Sequence, residues 1–202
     1  MRFGLSHRDL EELLAERGIE VDHVTIYRWV QRFTPLLAEP ARPCRRPIGD
    51  RWWIDETYLK VGGRWRYVHR PIDQYGQVID VYVARKRDSA AARAFFQRAL
   101  TTAGAAPSEI VTDRAPVYPK LVDELARTTA SSTPPTVWKP TMACSSDDSA
   151  RCATPRNDRT ATVIINGHAF VQNLRRGPYN LTAKIPLNLR LTVAFDELRH
   201  AI

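Results

Sequence analysis

Of the 202 residues only three are cysteine, Cys44, Cys144 and Cys152, and no two of them stand in a C-x-x-C pair. An odd count without paired spacing argues against a disulfide framework and against a structural zinc site. Long apolar runs are missing too. Nothing approaches the roughly 20 residues of a membrane span, and no apolar segment follows a basic N-terminus as in a secretory leader. Neither insertion nor secretion is indicated, no membrane partner is expected, and a cytoplasmic setting is. Acid is the scarcer charge, with 22 Asp+Glu against 30 Lys+Arg, a formal net charge of +8 and a pI near 9.7. That balance suits a polyanionic partner, and equally a well-solvated surface. What the chain does have is 44% hydrophobic residues, enough for one main domain with a small appendage.

The N-terminal segment reads as two helices. In S-H-R-D-L-E-E-L-L-A-E-R-G, Ser6 can cap a helix and Asp9 can bond back to it, with Leu10, Leu13 and Leu14 on one face and Gly18 at the end. Asp22 then caps a second helix, H-V-T-I-Y-R-W-V-Q-R-F. Ile26, Trp29, Val30 and Phe33 recur at i, i+3, i+4 and i+7, which predicts an apolar face packed on the first helix and leaves Thr25, Arg28 and Arg32 outward. That layout suits a helix-turn-helix whose hydroxyl and guanidiniums reach base edges and phosphates. A helical hairpin with a solvated basic face has the same pattern.

Residues 34–50 hold four prolines and no period, which predicts a linker or extended arm. Beyond it the period changes to that of strands. R-W-W-I-D-E-T-Y-L-K-V is rich in aromatic and β-branched residues, G-G makes a tight turn, R-W-R-Y-V-H-R returns, and Q-V-I-D-V-Y-V-A supplies a third strand. A helix follows in S-A-A-A-R-A-F-F-Q-R-A-L, with Ala91, Phe95 and Phe96 inward, then the strand E-I-V-T-D. Three antiparallel strands followed by helix, strand and helix predict an α/β class with a mixed sheet.

Two acids stand out in that sheet. Asp55 lies inside a strand that reads as buried, where a carboxylate needs a compensating positive charge. Asp113 follows Ile110 and Val111 at a strand's carboxyl end, where open α/β sheets place ligands. If adjacent strands bring the two together, a hard divalent cation such as Mg²⁺ relieves their repulsion. The alternative is that each caps a turn or pairs with an arginine.

Together W-I-D-E-T-Y-L-K-V-G-G-R-W-R-Y-V-H-R, V-T-D-R-A-P-V-Y-P and N-G-H-A-F-V-Q-N-L-R-R-G, preceded by the two N-terminal helix motifs, closely resemble transposases of the insertion-sequence-six group. The resemblance covers residues 3 to about 125 and about 156 to 178. It implies a ribonuclease-H-like mixed sheet with flanking helices, preceded by a small helical helix-turn-helix region. It also implies DNA transposition by metal-dependent strand cleavage and transfer, with Asp55 and Asp113 as the first two catalytic carboxylates, metal-holding and catalytic alike. Two Mg²⁺ or Mn²⁺ ions, double-stranded DNA (terminal inverted repeats and target) and a homo-oligomer come with it. The implied division is a DNA-binding region over 1–33, a linker over 34–50, the first part of the D-D-E domain over 51–126 and its helical remainder over 156–202. Relatives carry a further stretch before the helix pair, so a start at Met1 is expected to reflect truncation or a misplaced initiation codon.

The third catalytic residue of that group, a Glu in a pattern like N-R-V-E-A-D-H-G, is absent, and the genetic code says where it went. Taking the last nucleotide of each codon with the first two of the next, Trp138 before Lys139 must give Glu, and Met142 before Ala143 must give Gly. The other codons from Pro135 to Cys152 permit N-R-V-E-A-D-H-G-M-L-K-R-R-L-R-A-M. A shift out of frame near residues 125–127 and back near 153–156 follows, or an error in the gene sequence with the same effect. Residues 127–155 lack the apolar content to pack, and a disordered tract is expected there. This copy is then expected to be inactive. The alternative function is that of a non-catalytic DNA-binding protein, a regulator or inhibitor acting at the element ends.

Overall fold

Two glycines with positive φ, Gly62 at 53° and Gly63 at 80°, close the turn between strands β1 (Arg51–Val61) and β2 (Arg64–Asp73). A two-residue hairpin turn of this hand matches the twist of the strands it joins, and glycine adopts it without a Cβ clash. The computed structural model describes residues 6–112, 155, 157–182 and 184–200. Among these the sheet has four strands, in the order β3-β2-β1-β4. Strand β3 (Tyr82–Ala84) is antiparallel to β2, and β4 (Glu109–Thr112) is parallel to β1. This is the mixed α/β sheet with flanking helices expected from the sequence.

The chain divides into two compact units. One draws on residues within Arg46–Tyr58 and Arg66–Cys144. Its helix α3 (Ser89–Ala103) is capped by Asp88, whose side chain accepts from Ala91 N at 2.8 Å, and ends on Gly104. Burial recurs at Ala92, Phe95, Phe96 and Ala99, a stripe at helical spacing that packs on Trp52, Ile54 and Ile79 to form the core. The expected inward residues Phe95 and Phe96 are there, whereas Ala91 is only half-buried and Ala92 replaces it at the centre. The third strand is shorter than expected. Only Tyr82–Ala84 pair with β2, and Val78 makes an isolated bridge to Ile72. Buried Asp73 accounts for the interruption, because its carboxylate accepts from the backbone N–H groups of Gly49, Tyr75 and Gln77 and so holds a turn where the strand would begin.

The other unit draws on residues within Met1–Arg45, Leu59–Trp65 and Ser145–Ile202. Helix α1 (His7–Ala15) carries the expected capping box, Ser6 N donating to Asp9 Oδ2 at 2.7 Å and Asp9 N to Ser6 Oγ at 3.2 Å. Helix α2 (His23–Ala41) is capped by Asp22 but does not stop at Phe33. It runs on through Pro35 and Pro40, so residues 34–41 are helix and not the start of an extended arm. Proline weakens a helix interior. Packing overrides that here: Leu37, Ala38 and buried Ala41 join Phe170, Leu174, Tyr179, Ala194 and Leu198 in one core cluster. Those partners come from α4 (Asp158–Arg176), from α5 (Arg190–Arg199) and from the segment between them. The residues expected as the remainder of the catalytic domain are thus grouped with α1 and α2.

Close approach of α2 and α4 depends on Gly167. A Cβ built there would lie 2.8 Å from Thr34 Cγ2 and 3.1 Å from its Oγ1. Gly167→Ala is expected to lower unfolding stability by about 1–3 kcal/mol through overpacking, and Thr34→Ala in the same chain to restore most of it. Urea titration of the single and double variants checks this.

Candidate functional site

Strand β1 sits between β2 and β4, and its side chains alternate between the two faces of the sheet. Trp52 and Ile54 point to the α3 side, and Asp55 takes the opposite face. Folding back at Gly62–Gly63 sets Asp55 against Arg70, whose Nη2 donates to Asp55 Oδ2 at 2.7 Å. The two side chains keep 30% and 25% of their surface exposed. This is the positive compensation that a carboxylate in a central strand requires, and it is the arginine pairing that the sequence left open as an alternative. A charge-assisted pair this short orients the carboxylate as well as offsetting its charge. The neighbouring Glu56 turns to the α3 side, with 3% of its side chain exposed, and forms an ion pair with Arg87 Nε at 2.8 Å.

The parallel partner strand leads toward the same place. Its register pairs Trp53 with Val111 and Ile54 with Thr112. Asp55 and Asp113 are the next residue on each chain segment, and Asp113 lies outside the described residues. So does the tract 127–154. Among the described residues no group of three or more His, Cys, Asp or Glu side chains is gathered to hold a metal ion.

The outward face of α2 is not the one the sequence suggested. Arg28 and Arg32 are exposed and Thr25 is half-buried, but Trp29 and Phe33, expected inward, are 45% and 39% exposed, and Leu36 is 42% exposed. The reason is geometric. Thr25, Trp29, Arg32, Phe33 and Leu36 stand at i, i+4, i+7, i+8 and i+11, one stripe of a helix. Ile26, Val30, Leu37 and Ala41 form the other stripe, and it is this one that packs. Arg32 lies over Phe33, its guanidinium carbon 5.8 Å from the ring centroid. Tyr27 anchors the helix from behind through a 3.1 Å hydrogen bond to Thr160 of α4. Glu11 ties α1 to α2, accepting from His23 N at 3.1 Å and meeting His23 Nδ1 at 2.8 Å.

Arg70 and Glu56 carried no signal when strands were read singly. The hairpin register did carry one for Arg70, since a two-residue turn at 62–63 places residue 70 across from residue 55.

Comparison with known proteins agrees with the sequence motifs. A family model described as a DDE domain matches residues 49–140. The transposase for the insertion sequence-like element IS431mec of Staphylococcus aureus is 40% identical over 116 residues, which is 57% of this chain and 51% of that protein. The transposase for insertion sequence element IS257 in transposon Tn4003 of the same organism is likewise 40% identical over 116 residues, with the same shares covered. The chain spans about half the length of the curated relatives it matches. Among solved structures, the integrase catalytic core domain of HTLV-2 in complex with magnesium aligns with 74% of this chain and 85% of its own, at 17% identity and a TM-score of 0.39. Over residues 49–140 the chain is thus similar to a DDE domain, and over 116 residues to transposases of insertion-sequence elements.

Proposed function

We propose that this chain derives from an enzyme that moves an insertion sequence by metal-dependent DNA strand cleavage and transfer, and that it retains the DNA-reading region and two of three catalytic carboxylates. The observation that carries the reading is Asp55, a half-buried carboxylate on a central strand, held in place by Arg70 beside a parallel strand whose next residue is Asp113.

The donors suit a hard cation. A carboxylate held by one guanidinium contact offers oxygen of the type Mg²⁺ and Mn²⁺ take, so Asp55 and Asp113 would hold the metal, two ions in a complete site. When bound, such ions activate the attacking oxygen and stabilise the leaving one. Arg70 orients Asp55 and limits repulsion between the carboxylates. Arg28 and Arg32 neutralise DNA phosphates, and Thr25 lies on the same helix to reach a base edge, so that residues 1–33 dock the terminal inverted repeats while 51–126 supply the chemistry. Target DNA and a second copy of the chain complete the assembly. The third carboxylate has been displaced into another reading frame across 127–155, and this copy does not transfer strands. Transfer on DNA carrying the element ends by the chain as written would refute that last point.

A second reading is favoured by the exposure of Arg28 and Arg32 on α2: a non-catalytic DNA-binding protein that regulates or inhibits intact transposase. It predicts that Arg28→Ala with Arg32→Ala weakens end binding and lowers the slope of log K against log salt by about 1 for each phosphate no longer neutralised. Gel shifts across a salt series measure both. Binding that is insensitive to the double substitution removes this role from α2.

A further inference from the structure

The β1–β2 turn carries a second set of basic residues, besides those of α2. Trp65, the second residue after the turn, is 60% exposed, far more than an indole retains when it serves the core. Lys60 Nζ lies 5.9 Å from the Trp65 ring centroid, and Arg64 beside it is exposed. Between Leu59 and Arg66 there is no acidic residue. The presentation is fixed from beneath: Val61 is 3% exposed, Gly62 N donates to Pro155 O at 2.9 Å, and the two positive-φ glycines define the turn.

We propose that this turn binds single-stranded DNA, with the Trp65 ring stacking on an unpaired base and Lys60 and Arg64 holding the flanking phosphates. Charge complementarity selects a polyanion. The indole selects within that class, because a base in a duplex already has neighbours on both faces while an unpaired base offers an open one. Lys60 close to the ring adds cation–π attraction and places positive charge where the sugar-phosphate strand leaves the stack. The proposal rests on the reading of this chain as a DNA-acting protein.

Fluorescence anisotropy of the full chain with a labelled oligothymidylate and with a blunt mixed-sequence duplex tests it. Trp65→Ala is expected to weaken single-strand binding by roughly 10-fold and to leave duplex binding unchanged. Trp65→Phe should keep most of the affinity, and Lys60→Ala with Arg64→Ala should flatten its salt dependence. Equal single-strand affinity for Trp65→Ala and the unaltered chain overturns the proposal, as does an equal loss on both DNAs. If the unaltered chain binds neither DNA, the DNA-acting reading falls and this inference with it.

Discussion

Restoring the neighbouring reading frame across the codons for residues 127–155 is expected to turn a chain with background strand transfer into an active one, and Asp55→Asn in the restored chain to return it to background. The restored stretch supplies the E-x-x-x-G that the codons for Trp138–Lys139 and Met142–Ala143 force. A carboxylate that holds a catalytic metal contributes several kcal/mol of transition-state stabilisation, and each 1.36 kcal/mol is tenfold, so Asp55→Asn is expected to lower the rate by on the order of 10³-fold. Asparagine has the shape of aspartate but not its charge, so the measurement separates metal holding from packing. The assay is strand transfer with Mg²⁺ on DNA carrying the element ends, with gel shifts alongside. If transfer survives Asp55→Asn while end binding is intact, the assignment of Asp55 is wrong.

Acid is expected to destabilise the sheet unit through one buried imidazole. His69 is 2% exposed and stacks on Phe95 with ring centroids 5.2 Å apart. Burial, and then the positive charge of Arg87, push its pKa down from 6.5 to about 4. The folded form therefore keeps His69 neutral where the unfolded chain takes up a proton. The unfolded state binds more protons between these two values, so stability is fully present above pH 6.5 and drains away as pH falls toward 4. Over that window the loss is on the order of 2–3 kcal/mol. Asp9, Asp22 and Asp50 have carboxyl groups held below 3.8. The first two accept backbone hydrogen bonds from capped turns and the third accepts from Ser108 and Gln74. Their contributions disappear only at lower pH, so the windows separate. Urea unfolding between pH 7 and 4.5 should show the slope in the unaltered chain and a much flatter one in His69→Phe. An unchanged slope in that variant would assign the acid sensitivity to another group.

Much of the fold was legible because its signals are local. Ser6 and Asp9, Asp22 and the Gly62–Gly63 turn act on backbone groups within a few residues of themselves, and each does in the structure what its sequence position suggested. The third strand was misread where a buried turn took its first residues, and the linker where distant helices intervened. Asp73 gathers three backbone donors across a loop, and α4 and α5 keep α2 helical past two prolines.

The candidate site divides along the same line. The order of residues was sufficient to single out Asp55 and Asp113 as candidates and to place strands around the first, since strand period and turn chemistry are properties of neighbours along the chain. Tertiary structure alone decided that Trp29 and Phe33 share the outward stripe with Thr25 and Arg32, and that the last two helices pack with the first two. A helix presents apolar residues on more than one side, and the side that is buried is set by whichever element arrives to cover it.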